Sequence, residues 1–166
     1  MGPSREDVRT LNIIIVGDGK VGYTLAEHLS REEHNVTIVD TSEEALRKAD
    51  ESLDVMCIKG NGASITALRE AGADTADLLI AATSMDEINM VCCLTAKRLG
   101  TRFTIARVRN VEYTVDASAL KHDMGIDTLI NPENATAVEI ARLLRFPSAA
   151  NIETFCRGRV ELMGFR

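Results

Sequence analysis

Short apolar runs alternate along most of the chain with stretches in which apolar residues recur at helical spacing. The runs are rich in β-branched residues, which is typical of strands buried on both faces of a parallel sheet. They predict six strands, at residues 13–16, 35–39, 54–58, 78–82, 103–108 and 126–130. Because helical crossovers between parallel strands are right-handed and cover both faces, we expect an α/β fold with a doubly wound (Rossmann) six-stranded sheet of order 3-2-1-4-5-6.

Polar residues at the ends of these runs predict where helices begin. Thr41 and Glu44 match the T-x-x-E capping box, and Ser84 and Glu87 match its serine form. Asn131, which precedes a proline, predicts the start of a last helix that ends near residue 146. We therefore expect helices to open at these three places.

The alternation stops after the last helix. Residues 148–166 predict two strands around Arg157 and Gly158, but about twenty residues cannot build a core of their own. The first residues, MGPSREDVRTL, are polar and lack the apolar core of a signal peptide. We therefore expect a flexible leader over 1–10, a Rossmann domain over 11–146 and the start of a truncated second subdomain over 147–166.

A glycine-rich turn joins the first strand to the first helix. Gly17, Gly19 and Gly22 follow the strand at G-x-G-x-x-G spacing. This spacing allows a tight turn, a close approach of a phosphate to the backbone, and close packing of helix on strand. The N–H groups and the dipole at the start of the helix favour an anion. The glycines alone are also compatible with a tight strand–helix turn that binds nothing.

Asp40 adds a second signal to the glycine motif. It ends the second apolar run, 18 residues after Gly22, where a carboxylate can accept hydrogen bonds from the hydroxyls of an adenosine ribose. The alternative is a charge at the start of the next helix. Strand, glycines, helix, strand and acid together predict a nucleotide site at the carboxyl ends of the strands, where the segments 17–22, 40–41, 60–61 and 82–83 meet.

Composition excludes several classes of function. The net charge of −6 and the pI of about 5.1 argue against non-specific nucleic-acid binding. No apolar run reaches about 18 residues, so we expect no direct membrane insertion. The four cysteines form no C-x-x-C pair and the three histidines are scattered, so neither a metal site nor a nucleophile is indicated.

Several stretches carry a resemblance to a known family: NIIIVGDGKVGYTLAEHLS, VTIVDT, IKGNG, LREAGADTADLLIAATSMDEINMV, ARVRNVEY and LINPE. Over about residues 11–163 the chain resembles the N-terminal nucleotide-binding (TrkA-N) domains of the RCK/KTN family of potassium-transport regulators. The resemblance implies a cytoplasmic regulator rather than a catalyst, which binds NAD(H), ATP or ADP. It also implies a homo-oligomer, a dimer or a ring, held at the inner face of the plasma membrane by a potassium transporter subunit.

The resemblance also implies roles for individual residues. The residues that would line the phosphates are Gly17, Asp18, Gly19, Lys20, Val21 and Gly22. Asp40 and Thr41 would face the adenosine ribose, Gly60 and Asn61 would lie near the adenine, and Thr83 would close the side of the fourth strand. The family commonly has Gly-Asp after the third strand; Gly60-Asn61 lacks that charge, which leaves the preferred nucleotide open.

Two charged positions allow more than one interpretation. Arg107 ends the fifth strand, where its guanidinium can reach a phosphate, including one in a neighbouring subunit, or can form an ordinary salt bridge. Asp86 and Glu87 suggest acid–base chemistry at first sight, but charge in the first turn of a helix is the better interpretation.

Two other classes of protein remain as alternatives. An NAD-dependent oxidoreductase would use the same fold but needs a proton donor beside the nicotinamide, and none of the three histidines ends a predicted strand. A structural oligomerisation domain could keep the glycines without binding a ligand. Fold alone does not separate these classes.

Overall fold

The computed structural model describes residues 9–110, 112–113, 123–145, 149–155 and 160–165. Six parallel strands form one sheet in the order β3-β2-β1-β4-β5-β6, which confirms the predicted fold class and strand order. The strands are β1 (Asn12–Val16), β2 (Asn35–Asp40), β3 (Met56–Lys59), β4 (Leu78–Ala81), β5 (Phe103–Arg107) and β6 (Thr128–Ile130).

Helices connect the strands. They are α1 (Lys20–Arg31), α2 (Glu43–Ser52), α3 (Ile65–Glu70) and α4 (Asp86–Leu99), and α5 (Pro132–Arg145) follows the sheet. The helix predicted over residues 113–124 falls largely outside the described residues. In the described part of the chain, no helix has the length and apolarity needed to cross a membrane.

The sheet is buried on both faces. Ile13 and Ile15 of β1 belong to one cluster of buried apolar side chains, and Ile14 and Val16 belong to another. Because successive residues of a strand point to opposite faces, this division shows that helices cover both sides of β1. Burying a side chain of this size stabilises the fold by about 1.5–3 kcal/mol.

The starts of α2 and α4 correct two sequence predictions. The cap of α2 is Ser42, whose hydroxyl accepts from the N–H of Ala45 at 3.2 Å, so the capping box predicted at Thr41 is wrong by one residue. Asp40 accepts the N–H of Ser42 at 2.7 Å, and this turn carries the chain one residue further before the helix begins.

The cap of α4 is Met85, which has no side-chain hydrogen bond in that role, so the capping box predicted at Ser84 is wrong. Thr83 Oγ1 accepts instead from the N–H of Met85 at 3.3 Å. This local turn ends the loop at Met85, one residue after the predicted cap.

Contacts divide the chain into two compact units, the first ending at Ile130 and the second beginning at Asn131. In the second unit, Asn131 accepts from the N–H of Asn134 at 2.8 Å, which confirms the predicted cap of α5. An antiparallel pair, β7 (Ala149–Phe155) and β8 (Val160–Phe165), confirms the two strands predicted in the tail. The turn at Arg157 and Gly158 lies outside the described residues. The predicted domain limits at residues 10 and 146 stay predictions.

Candidate functional site

The predicted site residues lie in the five segments where β1 to β5 end. These residues are Gly17, Asp18, Gly19, Lys20, Val21, Gly22, Asp40, Thr41, Gly60, Asn61, Thr83 and Arg107. Because all five strands are parallel, the segments share one edge of the sheet. Hydrogen bonds and close contacts join them into a continuous row, which is described below from β1 outward.

The glycine-rich turn is tightly packed at two of its three glycines. Gly17 has a φ of +98°, and a Cβ there would lie 2.9 Å from the backbone nitrogen of Thr83. A Cβ on Gly22 would lie 1.8 Å from the carbonyl oxygen of Gly17. A Cβ on Gly19 would meet nothing within 4 Å, so the space above this residue is open to a ligand. The packing at Gly17 and Gly22 fits the tight turn and the close helix packing predicted for them, and the phosphate contact predicted at Gly19 stays a prediction.

Asp40 holds the ends of β1, β2 and β3 together. Its carboxylate accepts the N–H of Asp18 at 2.6 Å and the N–H of Ser42 at 2.7 Å. Its carbonyl accepts the N–H of Gly60 at 2.9 Å. The two side-chain bonds fix the orientation of the carboxylate, and each oxygen keeps a lone pair for a further donor.

Asp18 has a buried carboxylate with no hydrogen-bond partner among the described residues. The residue is 9% exposed, and neither side-chain oxygen has a hydrogen bond within the part of the chain that the structure describes. Burial, reinforced by the charge of Asp40 and opposed by Lys48, raises the pKa of Asp18 to about 6. A buried acceptor left without a donor costs about 1–3 kcal/mol, more when it is charged.

A groove of about 610 Å³ lies beside the glycine-rich turn, between α1 and α2. Its walls are formed by Asp18, Gly19, Lys20, Tyr23, Thr24, Ser42, Glu44, Ala45, Arg47, Lys48 and Glu51. Lys48 Nζ stands 5.0 Å from the centre of the Tyr23 ring, and Arg47 pairs with Glu51 at 2.9 Å. The sequence motifs missed the α2 residues, whose only signal is the adjacent pair Arg47 and Lys48 in an otherwise acidic helix.

The end of β3 is fixed by its own loop. Asn61 Oδ1 accepts the N–H of Ala63 at 2.9 Å, so this oxygen stabilises the turn, and the amide nitrogen is the group left to meet a base. Gly62 was missed by the motif analysis. A Cβ on Gly62 would lie 2.0 Å from Cγ1 of Val16, so the β3 loop packs directly on β1.

Asn89 joins the ends of β4 and β5. This residue of α4 is fully buried, and its Oδ1 accepts from the N–H and the hydroxyl of Thr83 at 2.9 and 2.7 Å. Its amide donates to the carbonyl oxygens of Thr83 and Arg107 at 3.2 and 2.9 Å. Sequence reasoning missed Asn89; the available signal is a polar residue on the buried side of a helix.

Asp86 and Glu87 lie in the first turn of α4, which confirms the interpretation as first-turn charge. Asp86 also accepts the N–H groups of Arg109 and Asn110, both at 2.8 Å, and so anchors the loop after β5. Among the residues that the structure describes, no three His, Cys, Asp or Glu side chains are grouped so that they could hold a metal ion.

Comparison with known proteins gives a family match over most of the chain. The model of the TrkA-N domain family matches residues 13–132. Among curated relatives, a Trk system potassium uptake protein TrkA of Halomonas elongata is 42% identical over 158 residues, which is 94% of this chain and 35% of the relative. The chain thus spans about a third of the length of the curated relatives it matches.

Solved structures show the same fold at low identity. The TrkA-N domain of the Escherichia coli inner membrane protein ybaL has a TM-score of 0.70 at 22% identity, covering 83% of this chain and 99% of that one. The GsuK channel bound to NAD has a TM-score of 0.61 at 22% identity, covering 75% of this chain and 22% of that one.

Proposed function

The chain belongs to the TrkA-N domain family, and from that membership we propose that it is a nucleotide-binding regulatory domain of a potassium uptake system. The proposed ligands are NAD(H) or ATP and ADP. In this proposal the nucleotide state of the domain controls a membrane potassium transporter, to which a homo-oligomer of the chain attaches at the cytoplasmic face. No catalytic residue is proposed.

The continuous row of strand ends from Gly60 to Arg107 is the observation that carries the proposal. Two backbone N–H groups fix the Asp40 carboxylate, and its remaining lone pairs can accept hydrogen bonds from a ribose. The open backbone at Gly19 and the start of α1 suit a diphosphate, because N–H groups at a helix N-terminus favour anions. The residues present therefore fit a dinucleotide, with the adenosine toward β2 and β3 and the other half toward Thr83 and Arg107.

The comparisons support the potassium-transport part of the proposal. The curated relatives are named as Trk system potassium uptake proteins, and one structural neighbour is a channel bound to NAD. The described histidines argue against a dehydrogenase. His28 lies in the last turn of α1 and His34 just before β2, at the opposite end of the sheet from the site. His122 lies outside the described residues.

The test is calorimetric binding of NADH, NADPH, ATP and ADP to one preparation of the chain and of two variants. We expect Asp40→Ala to weaken adenine nucleotides by about 1.5–3 kcal/mol, because it removes hydrogen bonds to a charged group. We expect NADPH to bind much more weakly than NADH, because Asp40 repels a 2′-phosphate. Asp54→Ala, which removes an exposed acid before the other end of β3, is the matched control and should bind like the wild type.

The proposal fails if no nucleotide binds, or if Asp40→Ala and Asp54→Ala bind alike. Equal affinities for NADH and NADPH contradict the placement of Asp40 at the ribose. Robust hydride transfer to a small substrate in a steady-state assay contradicts a purely regulatory role.

A further inference from the structure

Among the described residues, the carboxylate of Asp18 is a buried polar group of the site whose two oxygens take part in no hydrogen bond of the fold. It is held in place by its backbone, whose N–H donates to Asp40 at 2.6 Å, but its side-chain oxygens have no hydrogen bond among the described residues. Asp18 is 9% exposed and is one of the residues that form the wall of the groove between α1 and α2. Buried polar groups in folded proteins are satisfied in the great majority of cases, and a donor group of a bound ligand would satisfy this one.

We propose that Asp18 is a second carboxylate, beside Asp40, that recognises the sugar of the bound nucleotide. Its side chain would accept a hydrogen bond from a ribose hydroxyl. This inference rests on the proposed function and deepens it. It replaces the phosphate-lining role that the family resemblance implies for Asp18. The ligand class is a nucleotide with a free ribose hydroxyl at this position.

The sign of the charge distinguishes a sugar from a phosphate. An ionised carboxylate only accepts hydrogen bonds, so a hydroxyl satisfies it whereas an anionic phosphate repels it. Asp40 adds a second negative charge one hydrogen bond away. A phosphate is better served by the backbone at Gly19 and by the ammonium group of Lys20 in the first turn of α1.

The groups around Asp18 determine how its charge responds to pH. The like charge of Asp40 on β2 raises the pKa of Asp18, and the opposite charge of Lys48 on α2 lowers it. The charge of Asp18 in turn contributes to the raised pKa of the Cys57 thiol on β3. The other charged groups of the groove are Lys20, Glu44, Arg47 and Glu51. Burial dominates, and the pKa of Asp18 rises to about 6. Asp18 therefore loses its charge, and with it much of its strength as an acceptor, just below neutral pH.

The experiment measures affinities of the full chain for ADP, 2′-deoxy-ADP and 3′-deoxy-ADP by calorimetry, between about pH 5 and pH 8. We expect wild-type affinity for ADP to fall as the pH drops through about 6, because a donor hydroxyl favours ionised Asp18. At the alkaline end, one of the two deoxy nucleotides should bind at least about tenfold more weakly than ADP. That difference should shrink at the acidic end.

Two variants and one control separate Asp18 from the rest of the site. Asp18→Ala should bind ADP about tenfold more weakly and should lose most of the preference for ADP over that deoxy nucleotide. Asp18→Asn should lose the wild-type change in affinity around pH 6. Asp50→Asn, which removes an exposed acid of α2 outside the groove, should keep both the preference and the pH response.

Three outcomes overturn the inference. Affinity for ADP that rises as the pH falls, with tighter binding by Asp18→Asn, places Asp18 beside a phosphate. Affinities that do not change in either Asp18 variant show that Asp18 does not touch the nucleotide, while the proposed function stands if Asp40→Ala still weakens binding. Absence of nucleotide binding by the wild type defeats the proposed function and this inference with it.

Discussion

The backbone N–H of Asp18 donates to the carboxylate of Asp40, yet the two carboxylates have different hydrogen-bond environments. Asp40 receives two backbone N–H groups, whereas Asp18 receives none from the described residues. The pKa of Asp18 is accordingly raised to about 6, with burial as the first cause. A group so placed weakens the folded state whenever it is charged.

This imbalance predicts a pH-dependent gain in stability for Asp18→Asn. The pKa of Asp18 is about 6 in the folded chain and 3.8 ordinarily, so the penalty for its charge is complete above about pH 6 and absent below about pH 4. We expect the variant to be more stable than the wild type by about 1–3 kcal/mol at neutral pH, with the gap closing between these two values. Urea unfolding across the pH range measures it; a variant of equal or lower stability at neutral pH would show that Asp18 is already paired in the free chain.

Lys20 is expected to distinguish ATP from ADP through the outermost phosphate. Lys20 begins α1 and forms part of the wall of the groove, where a γ-phosphate would give its ammonium group a contact that ADP lacks. We expect Lys20→Met to weaken ATP by about fivefold more than ADP, the size of one exposed ion pair. Arg31→Met, which removes a cation from the far end of α1, should leave both unchanged. Equal losses for ATP and ADP would make Lys20 a general counter-charge for phosphates.

At the scale of strands and helices, the sequence predicts the sheet and the edge that carries the site. Apolar runs identify the strands, and right-handed crossovers together with the glycine-rich turn after β1 favour the Rossmann order, in which Asp40 lies beside Gly17. Asn89 and Gly62 could not be found in this way. Their importance depends on the rotation of α4 and on how closely the β3 loop approaches β1, and neither is encoded in a local pattern.

The contact between the β3 loop and β1 predicts the effect of adding one carbon. A Cβ on Gly62 would lie 2.0 Å from Val16 Cγ1, inside the buried core, so Gly62→Ala should lower the free energy of unfolding by about 1–3 kcal/mol. Gly19→Ala is the matched control, because a Cβ there meets nothing within 4 Å and the φ of −74° suits alanine. Thermal unfolding of both variants tests this; equal melting temperatures would mean that the β3 loop moves aside at little cost.

At the scale of the whole molecule, the notable feature is the set of large apolar side chains that α5 exposes to solvent. Val138, Ile140 and Leu144 are 60%, 53% and 73% exposed. Together with Ala135 and Ala141, which are also exposed, they spread over more than one side of the helix. Exposed apolar surface of this kind commonly marks a subunit interface.

We therefore expect the chain to form a homo-oligomer, at least a dimer, through α5. Leu144→Glu should shift the population toward monomer, because dimer formation would then bury an unpaired charge in the apolar interface. Light scattering over a range of concentrations measures the change, and Glu139→Gln on the same helix is the control. A wild type that stays monomeric at high concentration would contradict the expectation.

The spacing of the strand ends also defines a length along the candidate site. Neighbouring strands lie about 4.8 Å apart, so the ends from β3 to β5 span about 19 Å in the fixed order Gly60, Asp40, Gly17, Thr83 and Arg107. On the proposed function, a mononucleotide bound with its base at β3 would end near the middle of this span, and only a longer ligand would reach the two strand ends that Asn89 connects. If the proposed function holds, the length of a nucleotide sets how many strand ends it contacts, so two nucleotides that share the same adenosine would stabilise different parts of the sheet edge.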